Sequence, residues 1–141
     1  MPPGPAGGRG PAGERRVIGR LQCVVLDCPD PLRLARFYEG VLGGAVNRPD
    51  PRWSLDGDWA TLHLDDGRVL AFQRAADHRP PRWPGPEHPQ QFHLDVGVDD
   101  LASARAAVLA LGATVLEEGG PERNWTVCAD PAGHPFCLVR E

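Results

Sequence analysis

The chain has no apolar run long enough to span a membrane; the longest, around Leu21 to Leu26, has the length of a buried strand. It also lacks a basic stripe, and with a net charge of −4 this counts against nucleic acid as a partner. Four cysteines, Cys23, Cys28, Cys128 and Cys137, form no CxxC pair, so a redox dithiol is excluded and reduced thiols in the cytosol are expected. Arg15-Arg16 is followed by only Val17, Ile18 and Gly19 before Arg20, so the apolar core of an export signal is missing. There is no G-x-S-x-G elbow, no phosphate-cradling glycine loop and no dinucleotide-binding glycine pattern. At 141 residues the sequence has the length of one domain.

What is present is a repeat. Asp30 to Gly44, DPLRLARFYEGVLGG, returns in looser form as Asp100 to Ala113, DLASARAAVLALGA. Each copy opens on an Asp that can cap a helix and closes on a Gly that can end one. Between those ends Leu34, Phe37, Tyr38, Val41 and Leu42, and then Leu101, Ala104, Val108 and Leu111, fall at helical spacing. The same offset of seventy lays Leu21 to Asp27 over Gln91 to Gly97, one strand-like run before each helix. An offset of sixty-six lays Asp58 to Phe72 over Asn124 to Leu138, which adds hairpins after the helices. Each half therefore reads strand, helix, strand, strand, strand. The fold class is α+β, two tandem βαβββ modules.

The boundaries follow from composition. Residues 1–18 are rich in Pro and Gly with little to bury, and a disordered extension is expected there. The single folded domain spans 19–141, with module 1 over 19–75, a Pro-rich linker over 76–90 and module 2 over 91–141. The linker can be neither helix nor central strand, and Trp83 within it is expected to anchor the crossing rather than gate a cavity. Leu21 to Asp27, nearly continuously apolar, is expected to be a central strand covered on both faces. In module 2, Phe92, Leu94, Val96 and Val98 alternate with Gln91, His93 and Asp95, so the polar set faces away from the helix. Carried through the repeat, that face holds Leu21, Cys23 and Val25, the hairpin residues Val69, Ala71 and Gln73, and Pro135, Cys137 and Val139. Trp59, Thr61, His63, Trp125 and Val127 join them on the same register.

The tandem halves, the helix DPLRLARFYEGVLGG, the strand HLDV and the closing DPAGHPFCLV resemble the vicinal oxygen chelate superfamily, specifically its glyoxalase-like members. The likeness runs from Leu21 to Arg140. It implies curved sheets around a cleft, commonly in homodimers, where some members use a metal and bleomycin-resistance-like members only bind a ligand. By the family pattern the metal positions are Cys23, Ala71, His93 and Cys137. Ala71 has no donor, and Cys137 stands where a Glu is usual, so the hard-metal or iron site is expected to be lost. Zinc held by Cys23, His93 and Cys137 is the one surviving metal option; otherwise no cofactor is expected. The reading is a cytoplasmic small-molecule-binding protein with an aromatic-lined cleft built from Trp53, Trp59, Gln73, His93, Asp95 and Trp125. A zinc or iron lyase, isomerase or dioxygenase, and a drug-sequestering protein, stay open as alternatives. His134, in a turn, is assigned a structural role, and His78 and His88 a solvated place in the linker.

Overall fold

A computed structural model describes residues 17–51, 56–89, 93–119 and 122–141. Module 1 comprises β1 (Val24–Cys28), α1 (Pro31–Leu42), β2 (Ala45–Val46), β3 (Trp59–His63) and β4 (Val69–Arg74). Module 2 repeats the order with β5 (Leu94–Val98), α2 (Leu101–Ala110), β6 (Thr114–Glu117), β7 (Trp125–Ala129) and β8 (Pro135–Arg140). Each makes a four-stranded sheet, β1-β4-β3-β2 and β5-β8-β7-β6, in which the first strand runs parallel to the last and the others are antiparallel. The helix between first and second strands supplies the crossover that a parallel pairing needs. Among the described residues no helix is long and apolar enough to cross a membrane.

The helices start and stop where the sequence says they should. Asp30 accepts the amide of Arg33 at 3.2 Å with Pro31 in the first turn, and Asp100 accepts the amide of Ser103 at 3.1 Å as well as its hydroxyl. Gly43 and Gly112, at φ 78° and 114°, close them. From α1, Leu34, Phe37 and Tyr38 are buried, and this helix reaches both sheets. The Tyr38 ring stacks on Phe72 of β4 at 5.9 Å, while Phe37 meets Phe136 of β8 edge-on at 5.9 Å. One apolar cluster therefore joins the two modules, with Leu26, Leu62, Val96, Val108 and Leu138 completing it.

β1 differs from its expected character. It is an edge strand with Val25 and Asp27 exposed, not a strand covered on both faces. It also begins at Val24 rather than Leu21, because its only ladder partner is β4, which starts at Val69 after the turn at Gly67. The β1–β4 ladder begins at Val24, and Leu21 is exposed. A run of apolar residues reports burial tendency and cannot tell which strand will stand beside it.

The expected face assignment is met by the pairing. Trp59, Gln73 and Asp27 share one row, and Thr61, Ala71 and Val25 the next. In module 2 the corresponding rows are Trp125, Val139 and Gly97, then Val127, Cys137 and Asp95. The opposite faces, with Leu26, Phe72, Val96 and Leu138, pack into the core.

Candidate functional site

Two groupings of polar side chains stand out. The first is His93, Asp95 and Cys137, whose donor atoms all lie within 4.8 Å of one another. Register produces it: Asp95 and Cys137 are direct partners across the parallel β5–β8 ladder, and His93 lies two residues before Asp95 on the same face. His93 Nε2 lies 3.1 Å from Asp95 Oδ1. Burial, then the neighbouring Asp95 charge and its hydrogen bond, push the Cys137 thiol up to about 11. The thiol therefore stays protonated at neutral pH and is a poor nucleophile unless a cation displaces its proton.

The second grouping lines a cavity of about 460 Å³ where the modules and the linker meet. Module 1 contributes Val25, Asp27 and Tyr38; module 2 contributes His93, Leu94, His134 and Pro135. The linker roofs it with His78, Arg79, Pro80 and His88. Three contacts hold the linker there. His78 Nε2 donates to the Ala132 carbonyl at 2.8 Å, Pro80 lies against Gly133, and Trp83 Nε1 donates to Glu117 Oε1 at 3.0 Å. Trp83 thus anchors the crossing to β6. His78 is half-buried in this roof rather than solvated, because the turn at Ala132 offers a carbonyl with which it pairs.

Behind the cavity wall lies a fully buried carboxylate. Asp130 accepts the Tyr38 hydroxyl at 2.7 Å, the amides of Ala132 and His134 at 2.9 and 3.0 Å, and Nδ1–H of His134 at 2.8 Å. Burial and the Asp130 charge raise the Tyr38 hydroxyl well above its ordinary range, so it remains a donor. His134 therefore pairs with a carboxylate, not with backbone groups alone as its turn position suggests. The sequence carried a signal for this. At the offset of sixty-six, Asp130 and His134 replace Leu64 and Arg68 in a turn that keeps its backbone bonds.

Of the sequence-derived site residues, His93 lines the cavity, and Asp95 lines an adjoining hollow of about 570 Å³ together with Cys23. Trp59 and Gln73 are cross-strand partners at the far end of β3 and β4, and Trp125 holds the equivalent place on β7 beneath the Arg123 guanidinium, 5.1 Å away. None of these three lines the 460 Å³ cavity. The Trp59 indole N–H is buried without a partner among the described residues. Trp53 lies outside the described residues. Among the described residues the donor group that comes together is His93, Asp95 and Cys137, and Cys23 is not part of it. Cys23 belongs to the β1 side of the other sheet, whereas Asp95 is the ladder partner of Cys137.

The family model for the glyoxalase-like domain matches residues 23–139. The chain belongs to this family. No curated protein matches the sequence. The fold is shared with solved structures of the glyoxalase/bleomycin resistance/dioxygenase family. One is a family enzyme from Burkholderia phytofirmans PsJN, with 17% identity, 84% of this chain and 96% of that chain covered and a TM-score of 0.61. The fosfomycin resistance protein FosX from Mesorhizobium loti gives 17% identity, 87% and 92% coverage and a TM-score of 0.62. FosX from Listeria monocytogenes gives 13% identity, 89% and 95% coverage and 0.63. At these identities the likeness is one of fold.

Proteins of this glyoxalase-like fold often hold a metal, so the donors present must be tested against one. Imidazole, carboxylate and thiol suit Zn²⁺ as a three-ligand site and do not suit Mg²⁺ or Mn²⁺, which take oxygen. At the repeat-equivalent positions module 1 offers Cys23, Val25 and Ala71, which adds no carboxylate or imidazole.

Proposed function

We propose that this glyoxalase-like protein binds a small organic molecule in the cavity between its modules, with no metal needed for binding. The observation that carries this reading is the cavity itself. Its volume of about 460 Å³ lies within the range of small-molecule sites, and apolar walls from Val25, Leu94 and Pro135 stand beside polar groups from His93 and His134. His134, which stands where the first copy of the repeat has Arg68, lines its wall and is oriented by Asp130 behind it. A homodimer, as the family resemblance implies, belongs to the same proposal, and sedimentation analysis tests it.

The test is a ligand screen read by NMR on the chain purified without added metal. Binders are expected to move resonances of Tyr38, His78 and His134, and to do so equally in the presence of a chelator. Binders that move only residues distant from the cavity would refute the assignment. Tryptophan quenching in the same titration reads whether Trp59 and Trp125 take part.

A second reading has one observation in its favour, the cluster of His93, Asp95 and Cys137. These residues would hold Zn²⁺ with a position left open, and the ion would supply Lewis-acid polarisation of a ligand oxygen. His93, Asp95 and Cys137, now in contact with one another, would be its three protein ligands. Elemental analysis after zinc exposure, compared between the native chain and Cys137→Ser, separates this reading from the first.

A further inference from the structure

The turn joining β7 to β8 repeats the turn joining β3 to β4. In one, the Asp130 amide donates to the His134 carbonyl at 2.9 Å and the Gly133 amide to the Asp130 carbonyl at 2.8 Å; in the other, the Leu64 amide donates to the Arg68 carbonyl at 2.8 Å and the Gly67 amide to the Leu64 carbonyl at 3.0 Å. Gly67 and Gly133 take the same positive φ, 94° and 93°. Leu64 and Arg68 make this turn without an acid–imidazole pair. Asp130 and His134 are therefore not required by the backbone they sit on; Asp130 has a structural role in its bond to Tyr38, and the His134 ring calls for a further reason.

Their geometry supplies one. Because Asp130 accepts from Nδ1 of His134, that nitrogen carries the proton in the neutral ring and the lone pair is on Nε2. Nε2 has no partner among the described residues, and the ring lines the cavity. Tyr38 and two amides fix the carboxylate from the other side, so the imidazole is held from behind and open in front. The charged and titratable neighbours of that opening are Arg79, His78 and His88 from the linker, Asp27 from β1 and His93 before β5. The His78 ring lies 5.4 Å from that of His134, but its Nε2 is occupied by the Ala132 carbonyl.

We propose that His134, oriented by Asp130 and Tyr38, is a proton-accepting group of the cavity, and that the cavity takes a small organic weak acid bearing a phenolic, enolic or similar hydroxyl. The ligand O–H bond breaks and an N–H bond forms at Nε2. The electron pair stays on the ligand oxygen, and the imidazolium that results is stabilised by Asp130, with Arg79 bearing the balancing charge at the cavity mouth. No oxidant or metal enters the step. The inference rests on the cavity being a small-molecule site.

The experiment uses the full chain with two probes, 4-nitrophenol, whose anion absorbs visible light, and its methyl ether 4-nitroanisole, which has no proton to give. Both should move the resonances of the cavity wall. Bound nitrophenol should appear as phenolate about one pH unit below the free probe, a tenfold change in its ionisation equilibrium. In His134→Gln that phenolate band should be lost, and in Tyr38→Phe, which leaves the ring packing in place, it should weaken. Nitrogen-15 spectra of the unliganded chain should show His134 protonated at Nδ1. If the ether moves the wall but nitrophenol stays neutral, the proton-accepting role falls and the cavity reading stands. If neither probe moves the wall, both fall. A ring protonated at Nε2 overturns the inference whatever the probes do, including in the case that His134→Gln fails to fold.

Discussion

Tyr38→Phe removes one oxygen and leaves the aromatic packing against Phe72, Phe37 and Phe136 intact, so its effect isolates a single interaction. That interaction is a 2.7 Å hydrogen bond from α1 of module 1 to a carboxylate of module 2 with no exposed surface. A hydrogen bond to a buried charged group contributes about 1.5–3 kcal/mol, and the carboxylate loses one of its four donors without gaining water. For a chain of this length the expected loss lowers Tm by about 5–10 °C and moves the urea midpoint down by about 1 M, with the slope unchanged. The assay is urea unfolding of Tyr38→Phe, Asp130→Asn and the double variant. The two changes should couple by more than about 1 kcal/mol, since both report one contact. A Tyr38→Phe loss below about 0.5 kcal/mol, or additive single effects, would refute the claim that this bond ties the modules together.

Other outcomes follow from the same geometry. Gly67→Ala and Gly133→Ala both force a side chain into the left-handed region at a cost of about 1–2 kcal/mol. Gly67 is otherwise open, whereas a Cβ on Gly133 would strike Pro80, so unfolding midpoints should show the second variant less stable and NMR should show the linker displaced. Alkaline pH should destabilise the fold. Cys28 and Cys137 are pushed up to about 11, chiefly by burial, and Cys128 and Tyr38 are raised by the same cause. These groups ionise in the unfolded chain before they do in the folded one, so their stability is fully present below about pH 9 and is lost as pH rises through the folded values, read as a falling urea midpoint. At neutral pH Cys28, Cys128 and Cys137 should resist alkylation by iodoacetamide, and rapid labelling of Cys137 would contradict its protonated, buried state. Should zinc bind, Cys137→Ser and His93→Ala should each weaken it about tenfold or more, measured by cobalt substitution spectra.

The sequence by itself determined the doubled architecture. Capping Asp30 and Asp100, the terminal glycines and the alternation through Leu94, Val96 and Val98 are local signals, and local signals with period and offset survive any tertiary arrangement. They also carried the shared sheet face correctly, because side-chain parity in a strand needs no knowledge of its neighbour. What tertiary structure decided was adjacency. That Cys137 meets Asp95 rather than Cys23 depends on which strands pair, and that β1 is an edge depends on where β4 begins. Tyr38 and Asp130 stand ninety-two positions apart and belong to different modules; only the packing of α1 against both sheets brings a hydroxyl, a carboxylate and an imidazole to one cavity wall. Contacts of that separation leave no periodicity in the chain, since nothing local is lost or gained until the modules close on each other.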